Sequence, residues 1–584
     1  MKLLYLSFIV IIISVSPAYG HYLLGSGKDY SLNDDCVTYY NDLIEICGGE
    51  FDIQKLYSYV DNNNLLYEEE DKVWVLNSSL SIGLGTKLIL DDIWLKILDN
   101  KQNHIEVRGE LIINRTKITS WDPATNNYSL LEHVNDYRPH IVVLDFGSLK
   151  IINSFIGYLG YDASRSHGLD FYEGRDHIII NSTIVGNYFG AYTDKVDSMI
   201  IMNNEIHDNY VYGLDPHTYS KNIKIVNNTV YNNGYHGIIC SRFCENIEII
   251  NNKVYNNIGH GIMLDRNVTN SIVSNNTIIN NDSGVMLFSS NNNTISSNII
   301  NDNKHGIKVS YGSSYNTINN NIINNSRTYG IYLLKNAYQN VIRDNIIINV
   351  DDSAIYIDDA ESSSNYIINN IIKSVTHYNI RLRDADVIML NNRYACNDIC
   401  IYLDNNNSVL HINDNLYNMT YRSKGNNHIK IIDENNYIYS NSLKIPQIVT
   451  SNSSILEFNI EHDNLMVNRE DVSIIASNPL SVMYDDVIYI NANTLTDIKI
   501  NGKNYYLTDY VKFDDGIYTI NGNVILYNSC DVDMLKIGIN KYMEVCSYDH
   551  LIKQIPNYLY STNTVILILL GFSILSFILI VKKR

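Results

Sequence analysis

From about Gly168 the chain returns to one pattern every 22 to 25 residues. Gly190, Gly213, Gly237, Gly261, Gly284, Gly306 and Gly330, then Ala354 and Asn379, each open a short run of alternating apolar positions. A fixed period of this length marks a solenoid, in which each unit buries its apolar face against the next. The runs alternate with period two, which is strand spacing and not helix spacing. The expectation is an all-β parallel β-helix, one coil per repeat.

Each unit also carries a second strand that ends in asparagine, as in Ile223-Lys224-Ile225-Val226-Asn227-Asn228. Asparagine bonds nearby backbone and tolerates left-handed dihedrals, so it suits the turns. Stacked amides can also bond along the column. Counted from the repeat glycine, positions one and three point inward: Leu214 and Pro216, Ile238 and Cys240, Ile262 and Leu264, Ile307 and Val309. Positions two and four point outward and carry Tyr192 and Asp194, Asp215 and His217, Ile239 and Ser241, Met263 and Asp265, Lys308 and Ser310. Lys195, Arg242 and Arg266 follow at position five, where the strand turns. One outer face thus holds Tyr, Asp, His, Lys and Arg side chains about 4.8 Å apart from coil to coil. A sugar unit has about that length, so a groove along this face suits an extended polysaccharide. Strict alternation would send Tyr212 inward unless the turn at Gly213 resets the parity. His236, His260 and His305 each precede a repeat glycine. We read them as stacked turn residues and not as a metal ladder, because no carboxylate is evident at each level.

The formal charge of -20 argues against a nucleic-acid binder. A polyanionic substrate would need a local cluster of Lys and Arg, since the global field repels it. Lys2, the apolar run Leu3 to Val15 and the small residues Ala18 and Gly20 read as a signal peptide over 1–20. Near the other end, 564–581 is apolar and uncharged and Lys582-Lys583-Arg584 follows, which reads as a transmembrane anchor with a cytoplasmic tail at 582–584. The expected product is a single-pass membrane protein working on the cell surface or another extracytoplasmic face. Eight cysteines fall into four close pairs, and the simplest disulfide set is Cys36–Cys47, Cys240–Cys244, Cys396–Cys400 and Cys530–Cys546. Asn-x-Ser/Thr sequons such as Asn77 and Asn181 admit glycosylation but arise readily in so Asn-rich a chain. Residues 21–72 read as an N-terminal leader or cap, 73–400 as the β-helix, and 401–560 as a β-rich C-terminal region that contains an Asn501-Gly502 hairpin.

The chemistry concentrates at Tyr212-Gly213-Leu214-Asp215-Pro216-His217, with Arg242 about one coil later. This run resembles the Tyr-Gly-x-Asp-Pro-His motif of mannuronan C5-epimerases. Thr119-Ser120-Trp121-Asp122, Arg138-Pro139, Gly157-Tyr158-Leu159-Gly160-Tyr161, Ser166-His167-Gly168, His236 to Arg242 and Leu264-Asp265-Arg266-Asn267 resemble the periplasmic, AlgG-type branch in the same order. The similar region covers roughly residues 85 to 340. The resemblance implies a right-handed parallel β-helix and inversion of a uronate at C5 without a cofactor. It assigns His217 as base, Arg242 as the cation that neutralises the substrate carboxylate, and Tyr212 as proton donor or partner base, with water as the other donor. The bottom-up chemistry agrees. A proton beside a charged carboxylate is barely acidic, so removing it needs a near-neutral base, a bidentate cation and donors for the developing enolate. Asp215 is expected to orient or tune His217. Tyr192, Lys195, Asp265, Arg266 and Lys308 are the candidate substrate-binding residues. AlgG-type motifs usually place Asp after the histidine, where this chain has Thr218. No metal site is expected, although the acidic turns Asp351-Asp352 and Asp358-Asp359 leave calcium open. A polysaccharide lyase acting by β-elimination, and a non-enzymatic glycan-binding surface protein, are the alternative readings.

Overall fold

The computed structural model describes residues 35–60, 64–395 and 399–404, and past Leu403 the backbone of separate strands between Val409 and Tyr527. The segments read as signal peptide, anchor and tail lie outside the described residues, as do Cys396, Cys530 and Cys546. Among the described residues no helix is long and apolar enough to cross a membrane.

The repeat folds as a parallel β-helix. One coil consists of Leu214–His217, Lys221–Val226 and Thr229–Tyr231; the next consists of Ile238–Ser241, Glu248–Ile250 and Lys253–Tyr255. The third strands of successive coils stack into a 15-stranded sheet, and the first and second strands belong to a 35-stranded one. Registers align three inward columns. Ala191, Leu214, Ile238, Ile262 and Val285 form the first, Ile201, Ile225, Ile249, Val273 and Ile295 the second, and Ile206, Val230, Val254, Ile278 and Ile300 the third. All of these side chains are buried. β-Branched residues dominate because a stiff side chain packs well on a pleated surface and loses little rotamer freedom there. Each fully buried Ile or Val contributes about 1.5–3 kcal/mol.

The corners are held by amides. In corner doublets such as Asn227-Asn228 and Asn251-Asn252 the first residue takes the left-handed backbone, with φ 56° at Asn227 and 58° at Asn251. The second is buried and bonded both ways along the solenoid: Asn228 Nδ2 donates to Asn252 Oδ1 at 3.0 Å, and Asn252 Nδ2 donates to Asn276 Oδ1 at 3.0 Å. The two roles expected of asparagine are thus divided between neighbours. A second ladder runs through Asn209, Asn233, Asn257 and Asn281.

The N-terminal end is capped. Cys36–Tyr40 and Leu43–Cys47 form an antiparallel hairpin closed by the Cys36–Cys47 disulfide. The helix Ile53–Tyr59 follows, with Asp52 accepting the Lys55 amide at 2.7 Å. Its Ile53 and Leu56 join Phe51 and Trp74 on the end of the core, which would otherwise meet water. At the other end, parallel pairing continues past Leu403 through Val409–Asn413, His428–Asp433, Ile455–Ile460 and Asp497–Ile500. Ile500 pairs with Lys503 across Asn501-Gly502, as the hairpin motif predicts. Leu480–Tyr484, Val487–Asn491, Ile517–Ile520 and Asn523–Tyr527 form a separate antiparallel sheet.

The disulfide expectation needs one correction. Cys240 and Cys244 are free thiols, both fully buried. Cys240 fills an inward strand position, whereas the Cys244 thiol at the corner donates to the Ser241 carbonyl at 3.1 Å. Their closeness in sequence spans a turn of the coil and does not make them partners. Cys400 is disulfide-bonded.

Candidate active site

The site-bearing face is built from the strands Gly168–Tyr172, Phe189–Asp194, Leu214–His217, Ile238–Ser241 and Ile262–Asp265. Registers put Asp170, Tyr192 and Asp215 in one column, and Tyr172, Asp194 and His217 in the next. A Cβ on Gly213 would lie 2.5 Å from the Gly237 carbonyl oxygen and 2.7 Å from a Val230 methyl, so only glycine lets the coils approach here. The turn at this glycine also answers the parity question. Tyr212 is half-buried and lies in a column of outer rings, 4.9 Å from Phe189 and stacked 5.4 Å from His236.

Pro216 interrupts the ladder at the same coil. It has no N–H to give to the coil above, and the pairing between Leu214–His217 and Ile238–Ser241 is reduced to Leu214 with Ile238. The His217 amide turns to the coil below and donates to Thr193 Oγ1 at 3.3 Å.

His217 Nδ1 lies 2.5 Å from Thr218 Oγ1 and 3.2 Å from the Tyr192 hydroxyl. Nε2 has no hydrogen bond among the described residues. Burial, followed by Arg242, Arg266 and His167, pulls the imidazole down to about 4. The ring is therefore neutral near pH 7, as a base must be. Asp215, expected to orient it, makes no hydrogen bond to it. Thr218 and Tyr192 hold Nδ1 instead, so the threonine that replaces the usual aspartate supplies the anchoring oxygen.

Asp215 is 3% exposed, and its Oδ1 has no partner among the described residues. It sits at an outward position yet is covered. Burial, reinforced by Asp265, pushes its carboxyl well above the usual range, against the opposing pull of Arg266 and Arg242. Burial also raises the Tyr212 phenol to about 12.

The cations separate into engaged and free. Arg266 is bonded to the buried carboxylate of Asp265, with Nε 2.6 Å from Oδ2. Lys195 lies 3.7 Å from Glu173. Arg242 is exposed, sits at a left-handed turn with φ 58°, and forms no ion pair among the described residues. Of the three it alone has its fork open to an incoming carboxylate. Lys308 is farther along the face, with Nζ 6.0 Å from the centre of the Tyr332 ring and its pKa lowered by burial. The expectation that the stacked histidines lack a carboxylate fails at one level. His260 Nδ1 lies 3.4 Å from Asp282, which is also 3.6 Å from Lys304. Among the described residues no group of three or more His, Cys, Asp or Glu side chains gathers to hold a metal. Of the acidic turns, Asp358 is tied to Arg383 and Asp352 lies 3.9 Å from Arg381.

One pair escaped the reading of the sequence. His167 Nδ1 is bonded to Asp170 Oδ1 at 2.7 Å, and Asp170 is fully buried. The His167 ring lies 4.9 Å from Tyr192, whose ring is 5.2 Å from His217. In the sequence Ser166-His167-Gly168 stands out only through the resemblance. The available signal was His-Gly-x-Asp, with Asp170 one coil below Tyr192 and two below Asp215.

A model of the family described as periplasmic copper-binding protein (NosD) matches residues 150–331 and 290–404. A mannuronan C5-epimerase of Pseudomonas aeruginosa is 28% identical over 174 residues, 27% of this chain and 32% of its own length. The mannuronan C5-epimerase AlgG of Azotobacter vinelandii is 31% identical over 129 residues, 20% of this chain and 25% of its own. The chain thus spans about a third or less of the length of these relatives. The crystal structure of the periplasmic alginate epimerase AlgG shares the fold with a TM-score of 0.53 and 24% identity, over 57% of this chain and 85% of that one. The resemblance seen in the motifs therefore holds in sequence and in fold: the chain is similar to mannuronan C5-epimerases of the AlgG type.

Proposed function

We propose that the protein is a polyuronate C5-epimerase of the mannuronan type, acting on an acidic polysaccharide laid along the site-bearing face. The observation that carries this reading is the pairing of an exposed Arg242, without an ion pair among the described residues, with a neutral His217 whose Nε2 has no hydrogen bond among them. Arg242 takes the uronate carboxylate with its fork and neutralises its charge, which makes the C5 proton removable. His217 Nε2 takes that proton while Thr218 and Tyr192 fix Nδ1. The electron pair moves into the carboxylate, and Asp215, driven toward its uncharged form, donates a hydrogen bond to the growing negative charge. The opposite face of C5 then receives a proton. Tyr212, whose phenol stays protonated, and water are the donors the sequence suggests. Aromatic rings on either side of the site, Tyr212 among them, offer flat apolar surface to sugar rings.

The disulfide Cys36–Cys47 supports an oxidising, extracytoplasmic location. The apolar run 564–581 would tether the enzyme to its membrane.

The test is product analysis. Polymannuronate incubated with the protein should show guluronate anomeric signals by proton NMR, with no change in chain length. Unsaturated chain ends absorbing in the ultraviolet would mean that the same proton abstraction leads to β-elimination. No change in any polyuronate, with the protein folded, would reject the enzyme reading.

A further inference from the structure

Inversion at C5 removes a proton from one side of a carbon and returns one to the other. We infer that His167, clamped by the buried carboxylate of Asp170, is the second acid–base group of the site. This rests on the epimerase reading above.

The pair is rigid. Asp170 Oδ1 holds His167 Nδ1 at 2.7 Å, and Oδ2 accepts the backbone amides of His167 at 2.7 Å and Gly168 at 3.2 Å. The imidazole is stacked on Phe189, with centroids 4.7 Å apart and planes within 6°. A carboxylate on Nδ1 fixes the tautomer and leaves Nε2 as the working atom. That atom has no hydrogen bond among the described residues, and the side chain keeps 15% exposure. A purely structural histidine in this fold looks different: His177 is 0% exposed and has both ring nitrogens within reach of backbone groups, the Leu149 amide at 3.3 Å and the Glu173 carbonyl at 3.3 Å.

Placement adds the second argument. Tyr192 lies between His167 and His217, with ring centres 4.9 Å and 5.2 Å away. The two imidazoles come from the coils one step below and one step above Tyr192, and its ring lies between theirs. A uronate seated over Tyr192 has one imidazole on each side. The step balances. The C5–H bond breaks and its proton goes to His217 Nε2, while the electron pair enters the carboxylate held by Arg242. A new C5–H bond forms on the opposite side with the Nε2 proton of the His167 imidazolium, whose charge the Asp170 carboxylate balances, and this leaves His167 neutral with its Nδ1–H still bonded to Asp170. Exchange with water restores both rings.

The experiment separates exchange from inversion. Polymannuronate is incubated in D₂O, deuterium at C5 of mannuronate is read by mass spectrometry, and guluronate by NMR. The wild-type protein should invert with little deuterium accumulating in unreacted mannuronate. His167→Phe, which keeps the ring stack, and His167→Gln should lose inversion by about 100-fold or more while deuterium still washes into mannuronate. Asp170→Asn should fall between. His217→Gln should lose both readouts. If the His167 variants invert as the wild type does, or lose exchange and inversion together while melting normally, His167 is not the donor. If the wild-type protein neither exchanges nor inverts, the epimerase reading fails first and this inference with it.

Discussion

The asparagine ladder can be tested through a single amide. Asn252 receives the Asn228 backbone amide at 2.8 Å and the Asn228 side-chain amide at 3.0 Å, and it donates to the Ile225 carbonyl at 2.8 Å and to Asn276 Oδ1 at 3.0 Å. Asn252→Ala removes all four bonds. The Asn228 side chain keeps its bond to the Ile201 carbonyl, and Asn276 Oδ1 keeps the Asn252 backbone amide. One buried backbone group loses its partner, the Asn228 N–H, while the Ile225 carbonyl stays within the paired strands Lys221–Val226 and Glu248–Ile250. At about 1–3 kcal/mol for an unsatisfied buried donor, the expected loss is about 1–3 kcal/mol. The neighbouring Asn251, with φ 58° and an exposed side chain, provides the control, because Asn251→Gly keeps the left-handed backbone and should cost only a few tenths of a kcal/mol. Urea melts followed by circular dichroism give the free energies, and amide hydrogen exchange on the peptide carrying Asn228 locates the loss. Stability depends on neighbouring coils in a solenoid, so protection should fall most in the coils next to Asn252. A cost below 1 kcal/mol, or equal effects of the two substitutions, would refute the ladder as a source of stability.

Other outcomes follow from the site. Arg242→Ala should lower kcat/KM on polymannuronate by about 100-fold or more, whereas Arg266→Ala, whose guanidinium is already engaged by Asp265, should cost much less. Because burial lowers the His217 pKa to about 4, the base is neutral above that value. Activity should hold from pH 7 down to about 5 and fall as pH drops through 4; a fall centred on the ordinary imidazole value of about 6.5 would contradict this environment. The same sign applies to stability: His140, His177, His236 and His260 are also depressed by burial, so stability present above pH 6.5 should be lost as pH falls toward 4. Cys240 and Cys244 should resist alkylation in the native protein and react after unfolding, as peptide mapping would show.

Much of the fold was legible because the solenoid writes its geometry into the sequence. The glycine spacing located the coils, and period-two alternation identified Leu214, Ile238 and Ile262 as core. What alternation missed lies at the turns. Tyr212 was sent inward by counting, but Gly213 sits where two coils nearly touch, and the turn there puts the ring outside. Asp215 was assigned to His217 from their shared parity, although parity places side chains on one face without bonding them. The bond went to Thr218, which is adjacent in sequence and was seen only as a departure. His167 and Asp170 were hidden for a related reason, since contacts between coils depend on register, and register below Phe189 shifts between Gly168 and Asp170. Cys240 and Cys244 show the converse error, in which nearness along the chain was mistaken for nearness across a corner.

The central claim is that this face removes a proton from C5 of a uronate. Its most direct test is incubation of polymannuronate with the wild-type protein in D₂O, followed by mass spectrometry of the hydrolysed residues. The account predicts deuterium at C5 of newly formed guluronate, abolished in His217→Gln. Absence of C5 deuterium from every polyuronate offered to the folded protein would contradict it.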